Sequence, residues 1–505
     1  MSTAETAGAT AAEASDISST AELVVIGGGV AGLVAAWEAA RAGRSVTVLE
    51  AATSFGGMVG MHRVGGVALD AGAESFATRG GTVAALLGDL GLADQIVTPT
   101  RVPARVHHDG VSRPMPATGV LGIPTELDAP GLAEVLGADG LARARRDLEL
   151  PVEVTGARPG VGASVAASSG RVPISLAALV TARMGEAVTD RLLRPVVRGV
   201  HSVEPEELAA TDLLPGVLDR VAETGSLAAA LAGIRAAAPA GSAVQGLRGG
   251  IHRLVAALVA DLTRLGADLR TDAAVAALTP DGGGWIVRTA SATLRADRVL
   301  LACAPHAWAF LRPVPEHAPW APRPGAGGAP RGATRSLATL AADWPSPSGV
   351  DLVTLMLDAS ALPEHPRAGV LVAVPGRGAK ALTYASAKWD WLGQAAGPDR
   401  AIIRLSYAAG IAGEDPEARA TLALADAGRL LGITLGSRAL VDHARVSLVL
   451  PRPVRAWGMS HHVDRARAAV ATDDSLDLAG TWIAGTGLAS VIADARAAGE
   501  RVSGF

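Results

Sequence analysis

The amino-acid sequence predicts an α/β chain, in which buried parallel strands alternate with helices, interrupted by α+β inserts. Three stretches predict it. Between Glu22 and Glu50 an apolar run, a glycine cluster, a helical pattern and a second apolar run follow one another. A helix and several strand patterns recur between Gln245 and Ala304, and a strand–glycine–helix unit lies between Leu478 and Ile492. Short continuous apolar runs that alternate with helices are the pattern of strands covered on both faces.

In the first stretch, Leu23 to Ile26 reads as a buried strand, Val30 to Ala42 as a helix, and Ser45 to Leu49 as a second strand. Gly43 suits the position just past the helix end. Gly27, Gly29 and Gly32 form G-x-G-x-x-G at the strand-to-helix turn. The spacing has a physical reason. Gly27 permits the tight turn, Gly29 lets the backbone approach a pyrophosphate, and Gly32 lets helix and strand pack closely. The helix start at Val30 and Ala31 offers free N–H groups and the positive end of a dipole to phosphates. Glu50 closes the second strand about 20 residues on, where a carboxylate can accept hydrogen bonds from an adenosine ribose. Its charge would repel a 2′-phosphate, which disfavours NADP. The unit therefore predicts a Rossmann-like dinucleotide-binding domain.

Composition narrows the class. The 505 residues are 49% apolar and 19% charged, as in ordinary globular proteins, and a net charge of −4 offers no basic field for nucleic acid. Arginine carries nearly all the positive charge, the only lysines being Lys380 and Lys388; with abundant alanine and glycine, this points to a GC-rich bacterial genome. Cys303 is the only cysteine, which excludes an intrachain disulfide and cysteine-built zinc or iron–sulfur clusters. It lies in an apolar run and reads as a buried, inert thiol. The adjacent pairs His107-His108 and His461-His462 are expected in extended segments, where neighbouring side chains point to opposite faces, so no metal site is expected. His461 reads as structural rather than as a proton acceptor. Residues 1–20 read as a disordered tail without a secretory pattern. No run of about 18 apolar residues is present, so no transmembrane segment is expected. The expected location is the cytoplasm, with contact at a membrane surface left open.

Beyond Glu50, the chain continues through Phe55 to Gly56-Gly57, which resembles the E-x5-G-G extension of the FAD-dependent amine oxidase and porphyrinogen oxidase superfamily. Val67 to Arg79 resembles the segment that runs beneath the flavin in that family. The inserts carry subfamily information. Gly185-Glu-Ala-Val-Thr-Asp-Arg-Leu-Leu-Arg-Pro-Val-Val-Arg-Gly-Val-His201 resembles a helical segment of bacterial porphyrinogen oxidases, and Lys380-Ala-Leu-Thr-Tyr-Ala-Ser-Ala-Lys-Trp389 resembles a strand of the same proteins. Three features depart from the family. Met58 stands where Arg or Lys is usual, Ala456 to His461 lacks a usual Gln, and Gly485 to Ser490 differs from the commoner closing turn.

The resemblance implies FAD as cofactor, bound non-covalently through Gly27, Gly29, Val30, Ala31, Gly32, Glu50, Ala51, Gly57 and Met58. It adds Gly72, Ala73, Glu74 and Ser75 at the isoalloxazine, Val275 on the adenine side, and Gly485, Thr486, Gly487 and Leu488 at the closing turn. It places Arg79 and Tyr407 on the substrate side. The implied reaction is oxidation of coproporphyrinogen III, with protoporphyrinogen IX as the alternative tetrapyrrole, O2 as acceptor and H2O2 released. The implied partners are the tetrapyrrole, O2 and, transiently, the next haem-pathway enzyme. Two other readings stay open: a flavin oxidase of amines or polyenes, and a non-catalytic flavin-binding partner. The expected layout is an FAD-binding domain from 21–91, 245–305 and 461–505, a helical insert at 111–215, and a mixed-sheet substrate-binding domain from 92–110, 216–244 and 306–460.

Overall fold

Leu23, Val24, Val25 and Ile26 are almost fully buried because their strand, Ser19–Ile26, lies inside a sheet covered on both faces. In the computed structural model, residues 17–504 are described, except 101–103, 117–118, 152–173, 237–243, 312–331, 363–369 and 374–377. The strand order of this first sheet is Asp268–Arg270, Val46–Leu49, Ser19–Ile26, Thr293–Leu301, Gly284–Thr289, Val275–Asp281, and Leu476–Leu478 pairs in parallel with the far half of Thr293–Leu301. The first four strands are mutually parallel, and the 275–289 hairpin is antiparallel. Alternate residues serve alternate cores, as the two-residue period requires. Leu23 and Val25 face the helices Val30–Arg41, His252–Arg264 and Leu488–Ser503, whereas Val24 and Ile26 face the side covered by Gly332–Asp343 and Met459–Val470.

A second seven-stranded sheet runs Leu440–Leu450, Ser348–Asp358, Arg400–Ala408, Ala381–Tyr384, Val370–Ala373, Arg105–His108, Val111–Pro114. It is mixed, because Val370–Ala373 pairs in parallel with Arg105–His108 and the other pairs are antiparallel. Val353, Leu355, Ile403 and Leu405 pack under the helix Pro416–Leu431. On the opposite face, Met356 and Ile402 meet Val64 and Leu69 of the hairpin Met61–Val64/Val67–Asp70.

The structure departs from the sequence-based layout in several places. Ser19 and Thr20 belong to the first strand, pairing with Leu294 and Arg295, rather than to a tail; residues 1–16 of the expected tail lie outside the described residues. Val111–Pro114 is a strand of the second sheet and not helical. The helical core continues past 215, because Val217, Val221, Leu227 and Leu231 bury the same apolar face as Leu176 and Leu192. Ile174 to Val197 reads in the sequence as one helical stretch; in the structure it is broken at Gly185, which takes φ +91°, and includes a π turn at Thr189–Leu193. Ala321 to Arg335, rich in Pro, Gly and Arg, reads in the sequence as a loop; up to 331 it lies outside the described residues, and Gly332 to Arg335 belong instead to the helix Gly332–Asp343, which buries Ala333, Leu337 and Leu340 at helical spacing. His461 and His462 lie on the helix Met459–Val470, not in an extended segment. Among the described residues no group of three or more His, Cys, Asp and Glu side chains could hold a metal ion. No helix among them is long and apolar enough to cross a membrane.

Candidate functional site

At the end of the first strand, Gly27 takes φ +112°, and a Cβ there would lie 2.9 Å from the carbonyl carbon of Ala302. At Gly32 a Cβ would stand 1.9 Å from the Gly27 carbonyl oxygen. Both glycines are therefore demanded by packing of the protein on itself. Gly29 is different: a Cβ there would meet no protein atom within 4 Å. It caps the helix Val30–Arg41, which has no side-chain cap and no acid in its first turn, so the N–H groups of Val30 and Ala31 remain available to an anion. Glu50 holds the loop from the other side: its Oε2 accepts from the Gly28 N–H at 2.7 Å and its Oε1 from the Ala52 N–H at 2.8 Å. One lone pair on each oxygen remains for hydroxyl donors. Ala51, between these contacts, is exposed.

The cradle continues without a gap. Gly56 donates to the Gly28 carbonyl at 2.8 Å, and Gly57, at φ +58°, lies against the Gly29 Cα. The Met58 carbonyl accepts from the Ala73 N–H at 3.1 Å, and a Cβ on Gly72 would lie 2.1 Å from that oxygen. Thus the turn 56–58 pins the segment 72–75 to the first glycine loop. Val275 stands two residues past Ala273, whose N–H donates to the Glu50 carbonyl at 2.8 Å, so it flanks the Glu50 end. At the closing turn Gly485 has φ +100°, and Gly487 caps the helix Leu488–Ser503 with no side-chain cap and no acid in its first turn. Thr486 lies between them, and added Cβ atoms at Gly485 and Gly487 would meet no protein atom within 4 Å. Leu488 and Ala73 pack against one apolar core together with Val30 and Ala31. Two uncapped helix starts, three glycines facing open space and one tethered carboxylate fit a dinucleotide's pyrophosphate and ribose.

Sequence reasoning missed what lies against the 72–75 segment. Arg404, buried on the second sheet, donates to the carbonyls of Asp70, at 3.2 Å, and of Gly72. Glu74 accepts from Lys388 Nζ at 2.5 Å and lies 3.5 Å from Arg404. Burial disfavours the Glu74 carboxylate, but Lys388 and Arg404 outweigh it and hold the carboxyl below its ordinary range. Lys388 reaches Glu74 because the expected strand 380–389 ends at Tyr384 and turns into the short helix Ala385–Lys388, with Ser386 Oγ accepting the Ile402 N–H at 3.0 Å. Ser75 is half-buried beside this cluster. His62 bonds to Thr354 Oγ1 at 3.1 Å, and burial, with the nearby Arg404 charge, pushes its pKa down to about 4, so it is neutral at physiological pH. Asp70 accepts from the backbone N–H groups of Ile251, at 3.0 Å, and His252, at 2.9 Å, capping the helix of the central block. The signal for Lys388 was present: the chain has just two lysines, both in this segment.

Tyr407 is corrected. Its side chain is fully buried under the helix Pro416–Leu431, on the face of the second sheet opposite Arg404, because the two stand an odd number of positions apart on one strand. Arg79 is exposed on a turn. Cys303 is half-buried rather than fully buried, and loss of hydration pushes its thiol up to about 12, so it stays protonated.

A discontinuous dinucleotide cradle, closed against a mixed sheet, defines a flavin-dependent oxidoreductase fold. The chain belongs to the family of flavin containing amine oxidoreductases, whose model matches residues 30–504; its cofactor is FAD. It is similar to the coproporphyrinogen III oxidase of Propionibacterium freudenreichii subsp. freudenreichii, with 30% identity over 319 residues, 55% of this chain and 56% of that protein. The chain thus aligns with little more than half the length of that relative. It is also similar to the coproporphyrinogen III oxidase of Mycobacterium tuberculosis (strain ATCC 25618 / H37Rv), with 29% identity over 408 residues, 78% of this chain and 77% of that one. Two solved structures share the fold. A protein of Exiguobacterium sp. 255-15 has a TM-score of 0.75 and 22% identity, covering 96% of this chain and 99% of its own. The cyclohexylamine oxidase of Brevibacterium oxydans IH-35A has a TM-score of 0.61 and 16% identity, covering 96% and 98%.

Proposed function

We propose that this flavoprotein oxidises coproporphyrinogen III to coproporphyrin III, with O2 as acceptor and H2O2 released, as a step of haem biosynthesis. The observation that carries the reading is similarity across 78% of the chain to a protein of that activity's name. In this reading six electrons and six protons leave the tetrapyrrole in three two-electron rounds, and three O2 become three H2O2. Bound FAD supplies the two-electron acceptor. The chain's own residues would bind and orient it: the N–H groups at Val30, Ala31 and Leu488 would hold the pyrophosphate, and Glu50 would take the ribose. Glu74, Lys388 and Arg404 fix the segment 72–75, which would lie at the flavin ring. Arg79, exposed beyond that segment, pairs with a substrate carboxylate.

Coproporphyrinogen has four propionates and protoporphyrinogen IX two. A site built to pair four carboxylates leaves cations without partners when two become vinyl groups, which is costly. The test is the specificity constant for both porphyrinogens, prepared anaerobically and started with air, with porphyrin read by fluorescence and peroxide counted. Preference for coproporphyrinogen III with about three peroxides per porphyrin, the balance set by the flavin chemistry, supports the reading. Preference for protoporphyrinogen IX replaces the substrate, and no porphyrin from either rejects the activity.

A further inference from the structure

The chain has seven methionines, of which Met1 lies outside the described residues. Four of the others serve apolar cores. Met184 and Met459 are fully buried, Met356 is nearly so, and Met115 packs against the core of the helical insert. Met58 and Met61 belong to none of the cores formed by the described residues. Met61, at the start of the strand Met61–Val64, is 48% exposed. Met58 is half-buried, although Phe55 before it and Val59 after it both pack into the core that holds Val30 and Ala31. Core packing therefore does not account for these two thioethers. They stand three residues apart, at the turn that links the first glycine loop to the segment 72–75.

That turn is held from both sides. Gly56 donates to the Gly28 carbonyl at 2.8 Å, and the Met58 carbonyl accepts from Ala73 at 3.1 Å. A Cβ on Gly57 would lie 3.4 Å from the Gly29 Cα, so the turn touches the loop whose open space fits a pyrophosphate. An acceptor oxygen added to the Met58 side chain has two fates once the cofactor is in place. It is buried without a donor, or it draws off an N–H group that the cradle offers to a phosphate. Both weaken binding.

A thioether has no proton to lose, so its sulfur is nucleophilic at any pH. The thiol of Cys303 is the contrast, since it reacts as the thiolate and loss of hydration keeps it protonated. When hydrogen peroxide meets a thioether, an S–O bond forms and the O–O bond breaks. Sulfur is oxidised by two electrons, and the second peroxide oxygen leaves as water.

We propose that Met58 is a peroxide-sensitive modification site of the cofactor cradle: H2O2 converts it to the sulfoxide, and the sulfoxide loosens the hold on FAD. Met61, already in water, takes up oxygen with little consequence. The source of the peroxide rests on the porphyrinogen reading, in which H2O2 is released at this cofactor; the reactivity of the site does not. Accumulated product is thereby coupled to loss of cofactor, and reversibly, because methionine sulfoxide is reduced by enzymes specific for each epimer.

The test exposes FAD-loaded protein to graded H2O2 without porphyrinogen, maps oxidation by peptide mass spectrometry, and then measures FAD affinity by flavin fluorescence. Wild type, Met58→Leu and Met61→Leu are each compared with their own untreated sample. Met58 and Met61 should be oxidised before Met184, Met356 and Met459. Wild type and Met61→Leu should lose FAD affinity by about 5- to 100-fold, the scale for burying a polar group without a partner. Met58→Leu should keep its affinity through the same treatment, and sulfoxide reductases should restore the wild type. Met58 left intact where Met61 is fully oxidised overturns the site, and so does an oxidised Met58 that holds FAD unchanged. An equal loss in Met58→Leu also overturns it, since another residue would then be the target. A second arm follows Met58 during aerobic incubation with coproporphyrinogen III, with and without catalase. Oxidation of Met58 that catalase prevents supports the coupling. No porphyrin and no peroxide in this arm, with Met58 still oxidised by the reagent, rejects the porphyrinogen reading and upholds the site.

Discussion

Gly29 and Gly32 lie three residues apart in one motif and fail in opposite ways when enlarged. A side chain at Gly32 drives into the Gly27 carbonyl, 1.9 Å from the added Cβ, so the strand and helix must separate. Gly32→Ala should cost about 3 kcal/mol or more, in the tail of single substitutions, measured by urea unfolding of the cofactor-free protein. Gly29→Val meets only open space, so the cofactor-free protein should unfold at the wild-type urea concentration, yet emerge colourless from gel filtration. A yellow Gly29→Val protein removes this loop from the pyrophosphate site. The Glu74 carboxylate gives a second prediction at this scale. Glu74→Gln leaves Lys388 and Arg404 facing a neutral amide. With side chains 19% and 15% exposed at Glu74 and Lys388, the cost should be about 2–3 kcal/mol, below that of a fully buried pair. Adding Lys388→Met should recover part of it. The pH dependence follows from the lowered carboxyl pKa. Stability from this cluster is fully present above the ordinary carboxylate value of 4.5 and is lost as pH falls through the lower folded value. The stability gap between wild type and Glu74→Gln should therefore close on acidification and not on going alkaline.

At the scale of elements, local rules made some parts legible and non-local packing hid others. The helix read as Val30 to Ala42 forms over Val30–Arg41, because its caps are local: Gly29 before it, and Gly43 at φ +83° after it. The helix read in the central block, roughly Ile251 to Leu265 by its amphipathic pattern, forms over His252–Arg264 for a different reason, since its start is capped from 181 and 182 residues away by Asp70. Asp70 also accepts from His252 Nδ1 at 2.9 Å. Asp70→Ala should thus cost about 2 kcal/mol, a lost cap with buried donors stranded, and denaturant unfolding should show it whether or not FAD is bound. A change below about 0.5 kcal/mol, the range of ordinary surface substitutions, would mean that the helix start is satisfied by water. The break at Gly185 was hidden because a lone glycine is a weak stop signal, and only the left-handed φ of the folded chain turns it into a corner. The strand read over 380–389 was hidden in its second half for a similar reason. Nothing local marks the turn at Tyr384, which follows from Ser386 bonding to Ile402 on the next strand.

At the scale of the whole molecule, the cofactor site proposed here gathers residues from both ends and the centre of the chain, and its legibility divides along that line. Gly27, Gly29, Gly32 and Glu50 could be read because their spacing within one strand–helix–strand unit fixes what each must do. The contacts of Glu74 with Lys388 and Arg404 could not, since these residues meet across 314 and 330 positions through the pairing of two sheets. The misplacement of Tyr407 has the same origin: which face of a strand meets the site is set by the partner sheet, and the wrong parity puts the side chain under a helix. A discontinuous site has a thermodynamic consequence. A ligand that binds only the folded cradle stabilises by RT ln(1 + [L]/Kd), about 2.7 kcal/mol at a hundredfold excess over Kd, and that stabilisation is shared by every segment whose order the cradle needs. Hydrogen exchange of the FAD-bound protein against the cofactor-free protein should therefore show added protection at 27–32, at 56–58 and 72–75, and at 485–492 together. The buried insert helices Leu176–Met184 and Leu227–Ala236, whose core is separate, should change little. Protection confined to the N-terminal segments would remove the closing turn from the cradle, and uniform protection everywhere would mean that FAD acts only on global unfolding.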